Sequence, residues 1–363
     1  MKIGNRKIGD DYPAFIIAEA GSNHDGKLEQ AFKLVDVAVA AGADMVKFQI
    51  FKASKLYPPN CGVIDFGGKK LDLYAFFVKS EVSYDWLPKL KRYCDRRGII
   101  FFATPFDEES ADAMEKAGTQ AYKIASSELN HIPLLRHVAR KQKPMIMSEG
   151  LSTMRDIAEA VETVRGEGNE QIAVLHCVSD YPAPPEEYNL NVLQTIKRAF
   201  GVVVGLSDHT LDPVLVPTIA VASGARIIEK HFTLSKELNG ADHIYALEPN
   251  ELALMVKRIR ETEKLPIKKK VVYLARHPAI MGGYEKIIAP CEKKIYPGDK
   301  RWIFSIKQIK KGEKFSKGNI AVLRAERFLK PGLHPRLFEE FLGAKCQKDI
   351  KPYQGLQWEH VLA

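Results

Sequence analysis

Two apolar runs of this chain each end by presenting a histidine: "GVVVGLSDHT" leads to His209 and "ARIIEKHF" leads to His231. A single histidine means little. Two imidazoles at matching positions after successive β-rich runs are a candidate pair of neutral ligands for a divalent cation, provided the two strands lie parallel. Two lysines add to the pattern, because Lys47 in "MVKFQ" and Lys123 in "AYKIASS" sit inside otherwise apolar runs. A buried ammonium is costly unless an anion meets it. Hydroxyls, carboxylates, an amide and a further imidazole close the other runs: Glu19, Gln49, Thr104, Ser126, Ser127, Ser148, His176, Ser179, Ser207 and Glu229. Lysine charge combined with hydroxyl and backbone N–H donors makes a pocket for phosphate or carboxylate. Two histidines without a cysteine or carboxylate cluster argue for an open, catalytic cation site rather than a closed structural zinc. Cys177, beside His176, reads better as a small buried residue than as a nucleophile.

Such a set needs a frame that brings distant residues to one place. Short β-branched runs ("FIIA" at 15, "MVKF" at 45, "IIFFA" at 99, "AYKI" at 121, "MIMS" at 145, "IAVLH" at 172, "VVVG" at 202, "RIIEK" at 226) alternate with segments of helical spacing such as "LEQAFKLVDVAVAAG" and "TMRDIAEAVETVRGEG". Eight strand and helix pairs over about 250 residues predict a (β/α)8 TIM barrel, whose site lies at the C-terminal ends of the strands. A doubly wound open sheet is the alternative, disfavoured because no GxGxxG follows the first strand. After residue 265 the pattern breaks, so a barrel over 1–265, a linker over 266–294 and a small β-rich domain over 295–363 are expected.

Composition narrows the setting. The chain has 363 residues, a net charge of +9 and five scattered cysteines, which fit free thiols in a reducing cytoplasm. The N-terminus has no secretory h-region and no run is long enough to span a membrane. Residues 251–363 carry 25 Lys/Arg against 12 Asp/Glu, a surplus of 13, while the remainder is at −4. The cations are interspersed with Glu and apolar residues, which disfavours a nucleic-acid partner.

The motifs "IAEAGSNHDG", "VKFQ", "ATPFD", "YKIASSE", "HCVSDYPAP", "GLSDHT", "EKHF" and "GADH" occur in the order found in the sialic acid synthase (N-acetylneuraminate synthase) family, which the chain resembles over residues 12–262. The tail, through "IKKGEKFSKGNIAVLR" and "KPGLHP", resembles that family's antifreeze-like (SAF, β-clip) domain. The resemblance implies a transferase condensing phosphoenolpyruvate with N-acetylmannosamine or a related N-acylated amino sugar. It also implies Mn²⁺ or Mg²⁺ on His209 and His231. Lys47, Thr104, Lys123, Ser126, Ser148 and Ser207 would hold phosphoenolpyruvate, Glu19 would lie near the reacting carbons, and Gln49, Tyr181 and Asp242 would face the sugar. Arg324 in "AVLRAE", with Arg327 next in line, would reach the barrel mouth of a partner in a domain-swapped homodimer, and the basic surplus would answer the substrate's charge. Three departures bear on the acceptor: Glu149 in "SEG" replaces a customary Thr, Ser127 a customary Gly, and "GADHIYALEP" a customary Gly-Pro-Asp-His-Phe-Ser. The other readings are a legionaminic or pseudaminic acid synthase, another metal-dependent phosphoenolpyruvate enzyme, and a non-catalytic carbohydrate-binding barrel.

Overall fold

The computed structural model describes residues 1–66, 69–240 and 242–362; Ala241 of the "GADH" motif lies outside the described residues. Eight parallel strands form the centre: β1 (Phe15–Gly21), β2 (Met45–Ile50), β3 (Ile100–Pro105), β4 (Tyr122–Ile124), β5 (Met145–Ser148), β6 (Ile172–Cys177), β7 (Val203–Asp208) and β8 (Ile227–His231). Pairing runs β3-β2-β1-β8-β7-β6-β5-β4, and β3 also packs beside β4, so the sheet curls into a nearly closed TIM barrel. The expected eightfold alternation is therefore the observed architecture.

The main helices between the strands are α1 (Leu28–Ala40), α2 (Trp86–Arg97), α3 (Glu108–Lys116), α4 (Ile132–Ala139), α5 (Met154–Gly166), α6 (Val192–Phe200), α7 (Leu215–Ala222) and, after β8, α8 (Pro249–Glu263), and two short helices, Ala53–Leu56 and Leu73–Lys79, precede α2. Local chemistry fixes several of their ends. Asp107 caps α3 by accepting from Ser110 N at 2.8 Å, Thr153 and Asp156 form a capping box on α5, and α2 stops at Gly98 with φ at +74°. Most of these helices turn one apolar face onto the outside of the sheet, as α5 does with Ile157, Ala160, Val161 and Val164, whereas α7 is buried continuously from Val216 to Val221.

Inside the barrel, Phe15, Ile17, Met45, Phe102, Ala121, Ile146, Ala173, Leu175 and Ile227 fill the lower half, closed below by Ile3 and Ile8. Side chains alternate along a strand, so the next inward positions of the same strands are Glu19, Lys47, Thr104, Lys123, Ser148, Cys177, Ser207, Glu229 and His231. The apolar plug thus forms the floor of a polar upper chamber.

The segment after α8 contains helix α9 (Ile267–Ala275), a short helix at Pro278–Met281 and a 3-10 turn at Pro290–Lys294. The C-terminal domain is built on antiparallel β9 (Arg301–Ser305) and β10 (Ile320–Arg324), with its own core of Ile303, Ile309, Phe315, Ile320, Phe338, Phe341, Ile350 and Leu356. It packs on the barrel of the same chain. Among the described residues, no helix is long and apolar enough to cross a membrane.

Candidate active site

A cavity of about 480 Å³ opens at the C-terminal ends of the strands. It falls within the usual size of small-molecule sites. Its lining includes Glu19, Lys47, Gln49, Thr104, Lys123, Ser126, Ser127, Ser148, Ser179, Tyr181, Ser207, Glu229, Asp242 and Arg324, with His209 and His231; of the side chains singled out in the sequence, His176 is not among them. Parity along the strands explains most of this convergence.

At the bottom, the Nζ of Lys47 lies 3.0 Å from Glu229 Oε1 and 3.5 Å from Glu19 Oε2. Lys123 donates to Ser148 Oγ at 2.6 Å and to the Ile124 carbonyl at 3.0 Å, and its Nζ lies 3.7 Å from Glu229. Ser207 donates to Glu229 at 3.1 Å, and Gln49 donates to Glu19 at 3.0 Å. All four ionisable groups are buried, and their environments separate them. Burial alone would raise Glu229, but the Lys123 and Lys47 charges more than offset it and hold the carboxyl down at about 2. Burial, with repulsion from Glu229 adding to it, lifts Glu19 to about 7 against the pull of Lys47. Burial also lowers Lys123 to about 8, since Glu229 only partly compensates and Lys47 repels it. One carboxylate is thus firmly ionised, while the other titrates near neutrality.

The two histidines are neighbours in the cavity wall, edge to face with ring centroids 5.6 Å apart. His209 is placed by its own backbone, whose N–H donates to Tyr188 Oη at 2.7 Å, and its Nδ1 lies 2.7 Å from the Val178 carbonyl. That carbonyl can only accept, so Nδ1 carries the proton and Nε2 keeps a free lone pair. Burial lowers His209 to about 4 and drives His231 well below the ordinary histidine value, so both rings are neutral at physiological pH. His231 Nδ1 and Glu229 Oε2 are buried without a hydrogen-bond partner among the described residues. Two neutral imidazoles offer two ligands to a divalent cation; the described residues gather no group of three or more His, Cys, Asp or Glu that could hold one.

The outer half of the chamber comes from loops. Tyr181 stacks on His209 at 4.0 Å between centroids, and Tyr245 donates to Asp242. Gly21 permits this wall: it sits at a bulge with φ at +52°, and a Cβ there would lie 3.0 Å from Asp242 Oδ2. Gly150 is equally constrained, since a Cβ would collide with Ser179 Oγ. The segment between β2 and α2, which the sequence did not mark as part of the site, adds Leu56, Tyr57, Leu73, Phe76 and Phe77 to the lining. Ser22, Tyr245, Lys294, Asp299 and Glu326 were missed too. Ser22, Tyr245 and Glu326 lie inside quoted motifs, whereas Lys294 and Asp299 carried no local signal.

Within this single chain, Arg324 reaches the mouth of its own barrel. Its guanidinium donates to Glu128, to Tyr57 Oη at 3.1 Å and to Asp299 Oδ1 at 3.3 Å. Glu128, fully buried at the end of "KIASSE", also receives the buried Arg301, which in turn donates to the Lys55, Val322 and Phe106 carbonyls. One carboxylate therefore clamps two arginines and docks the C-terminal domain onto its own barrel.

Three expectations need correction. His176 is out of phase with Leu175 and Cys177, so it points away from the cavity, with Glu149 at one ring nitrogen and the Tyr188 carbonyl at the other. Glu149, suspected of altering the sugar end, is likewise turned outward into that cluster. The basic surplus of the tail lies largely on the surface: Lys307, Lys310, Lys311, Lys314 and Lys317 are exposed. Among the described residues, the cations of that segment lining the cavity are Lys294, Arg324 and Arg327, too few to attribute the surplus to substrate charge. Cys177 does line the cavity, but burial pushes its thiol up to about 12, which leaves it protonated.

The sequence pattern of the NeuB family matches residues 34–270, and that of the SAF domain matches residues 300–362. The chain is 45% identical to the spore coat polysaccharide biosynthesis protein SpsE of Bacillus subtilis (strain 168), covering 100% of this chain and 97% of that protein. The crystal structure of SpsE superposes with a TM-score of 0.85 over 100% of this chain and 99% of that one, at 43% identity. The pseudaminic acid synthase of Campylobacter jejuni subsp. jejuni serotype O:2 is 35% identical over 97% of both chains. The N-acetylneuraminic acid (sialic acid) synthetase of Leptospira borgpetersenii serovar Hardjo-bovis, in complex with citrate, superposes with a TM-score of 0.68 at 32% identity, over 76% of this chain and 95% of that one. Barrel, ordered motifs and C-terminal domain agree: the chain belongs to the NeuB family of sialic acid synthases, with an SAF domain after its barrel.

Proposed function

We propose that this chain is a nonulosonic acid synthase that condenses phosphoenolpyruvate with an N-acylated amino sugar and releases phosphate. The observation that carries the reading is the convergence of two buried lysines, a ring of hydroxyls and two neutral imidazoles on one chamber. C3 of phosphoenolpyruvate forms the new bond to the sugar's aldehyde carbon, and a water oxygen adds to C2. The C2–O bond then breaks, and inorganic phosphate leaves with the bridging oxygen.

Lys47 and Lys123 supply the charge for phosphoenolpyruvate, while Thr104, Ser126, Ser148 and Ser207 supply directed hydroxyls around it. Glu19, titrating near 7, orients the water and takes its proton, with Gln49 fixing the carboxylate. His209 and His231 would hold Mn²⁺ or Mg²⁺, which when bound supplies Lewis-acid stabilisation of the aldehyde oxygen. Tyr181, Asp242 and Arg324 face the sugar from the outer wall. The five free cysteines fit a cytoplasmic enzyme. A homodimer that exchanges its C-terminal domains, with Arg324 completing the partner's site, belongs to the reading.

Phosphate release from phosphoenolpyruvate should be measured with Mn²⁺ and, in turn, N-acetylmannosamine, its 6-phosphate, and the diacetamido trideoxyhexoses leading to legionaminic and pseudaminic acids. Release that depends on one of these sugars is expected. Release at the same rate without any sugar, or none with every sugar, would refute the proposal.

A further inference from the structure

The segment between barrel and C-terminal domain runs along the loops that follow β5 and β6. Leu190 N donates to the Ile280 carbonyl at 3.0 Å, Asn191 N to the Met281 carbonyl at 2.9 Å, and Thr195 Oγ1 to the Tyr284 carbonyl at 2.7 Å. Cys291 N returns a bond to Glu187 at 2.8 Å. Two side chains then enter the protein. Glu292, fully buried, accepts at Oε1 from the backbone N–H groups of Leu151 and Ser179, both at 2.8 Å. Lys286 Nζ lies 2.8 Å from Glu149 Oε2, with the two side chains 2% and 0% exposed.

We propose that Lys286, paired with Glu149, is a positioning residue for the active site, acting through the ends of β5 and β6 to set Ser148 and Ser179. Glu149 follows Ser148, whose Oγ receives Lys123, and its other oxygen meets His176 beside Cys177. His176 reaches the carbonyl of Tyr188, whose hydroxyl fixes the backbone of His209. A displaced Glu149 therefore shifts two walls of the chamber together. Glu149 stands where the family resemblance has Thr, and Lys286 lies in the segment between the two matched family patterns, 34–270 and 300–362.

Breaking a buried ion pair leaves an uncompensated charge, whereas replacing both members by neutral isosteres is tolerated. The test compares Glu149→Gln, Lys286→Met and the double variant, reading KM for phosphoenolpyruvate and for the sugar, kcat, and Tm. This test rests on the proposed phosphoenolpyruvate chemistry, and the unmodified enzyme assayed in parallel reads that assignment by itself. Each single variant is expected to raise KM for phosphoenolpyruvate roughly tenfold or more, since small misplacements of binding groups are costly. The double variant should return to within about threefold of the unmodified value, the non-additivity that a direct pair requires. Folded single variants with lowered Tm but unchanged KM would reduce the pair to a purely structural one and overturn the proposal. Should either single variant fail to fold, the double variant decides: near-normal KM supports the positioning role, and a double variant that is unfolded or tenfold weaker for phosphoenolpyruvate refutes it.

Discussion

Replacing Lys123 by Met removes one charge from the chamber floor while keeping most of the side chain's bulk. In the resting site this ammonium is held mainly by neutral oxygens, Ser148 at 2.6 Å and the Ile124 carbonyl at 3.0 Å, with its nearest carboxylate oxygen at 3.7 Å. Burial has already weakened its hold on its proton, down to about 8. Such a cation gains from an incoming phosphate, and a charge-assisted hydrogen bond contributes about 1.5–3 kcal/mol. Its loss should lower kcat/KM for phosphoenolpyruvate roughly ten- to 150-fold. KM for the sugar should change far less, because Tyr181, Asp242 and Arg324 lie on the outer wall. Lys47→Met is a harsher change, since Lys47 is the cation closest to both Glu19 and Glu229, and its removal leaves two buried carboxylates facing an anionic ligand. Steady-state phosphate release, varying each substrate at saturating levels of the other, separates the effects. Equal increases in both KM values for Lys123→Met, or an unchanged KM for phosphoenolpyruvate, would show that the lysine is structural.

A chelator should abolish turnover and Mn²⁺ restore it, while His209→Ala and His231→Ala should each lose Mn²⁺ affinity, measured by titration calorimetry, without losing the barrel's circular dichroism. The pH profile should have two limbs: kcat rises as Glu19 becomes a carboxylate above about 7, and kcat/KM for phosphoenolpyruvate falls as Lys123 loses its proton above about 8. Glu19→Gln should lose the first limb with most of the activity, and Lys123→Met the second; limbs that persist in these variants would reassign them. Because Arg324 would complete the partner's site in an exchanged homodimer, a mixture of His209→Ala and Arg324→Ala chains should regain activity where mixed dimers form. Activity that stays at the parental level although mixed dimers form would mean that the arginine acts within its own chain.

The barrel and the side chains that line its mouth were legible in the sequence because both depend on local period. Strand runs such as "IAVLH" and "RIIEK" fix where the sheet ends, and alternation fixes which side chains share the inner face. Lys47, Lys123, Glu229 and His231 are therefore consequences of position along a strand. The same rule would have excluded His176, which is one residue out of phase with Leu175 and Cys177. Tertiary structure alone decided what lies beyond the strand ends. No period relates Glu128 to Arg301 and Arg324, Lys286 to Glu149, or Glu292 to the backbone of Ser179. Buried charges far apart in sequence find partners only when two packed surfaces exclude water from both, so their pairing is a property of the docked domains and of the segment that joins them.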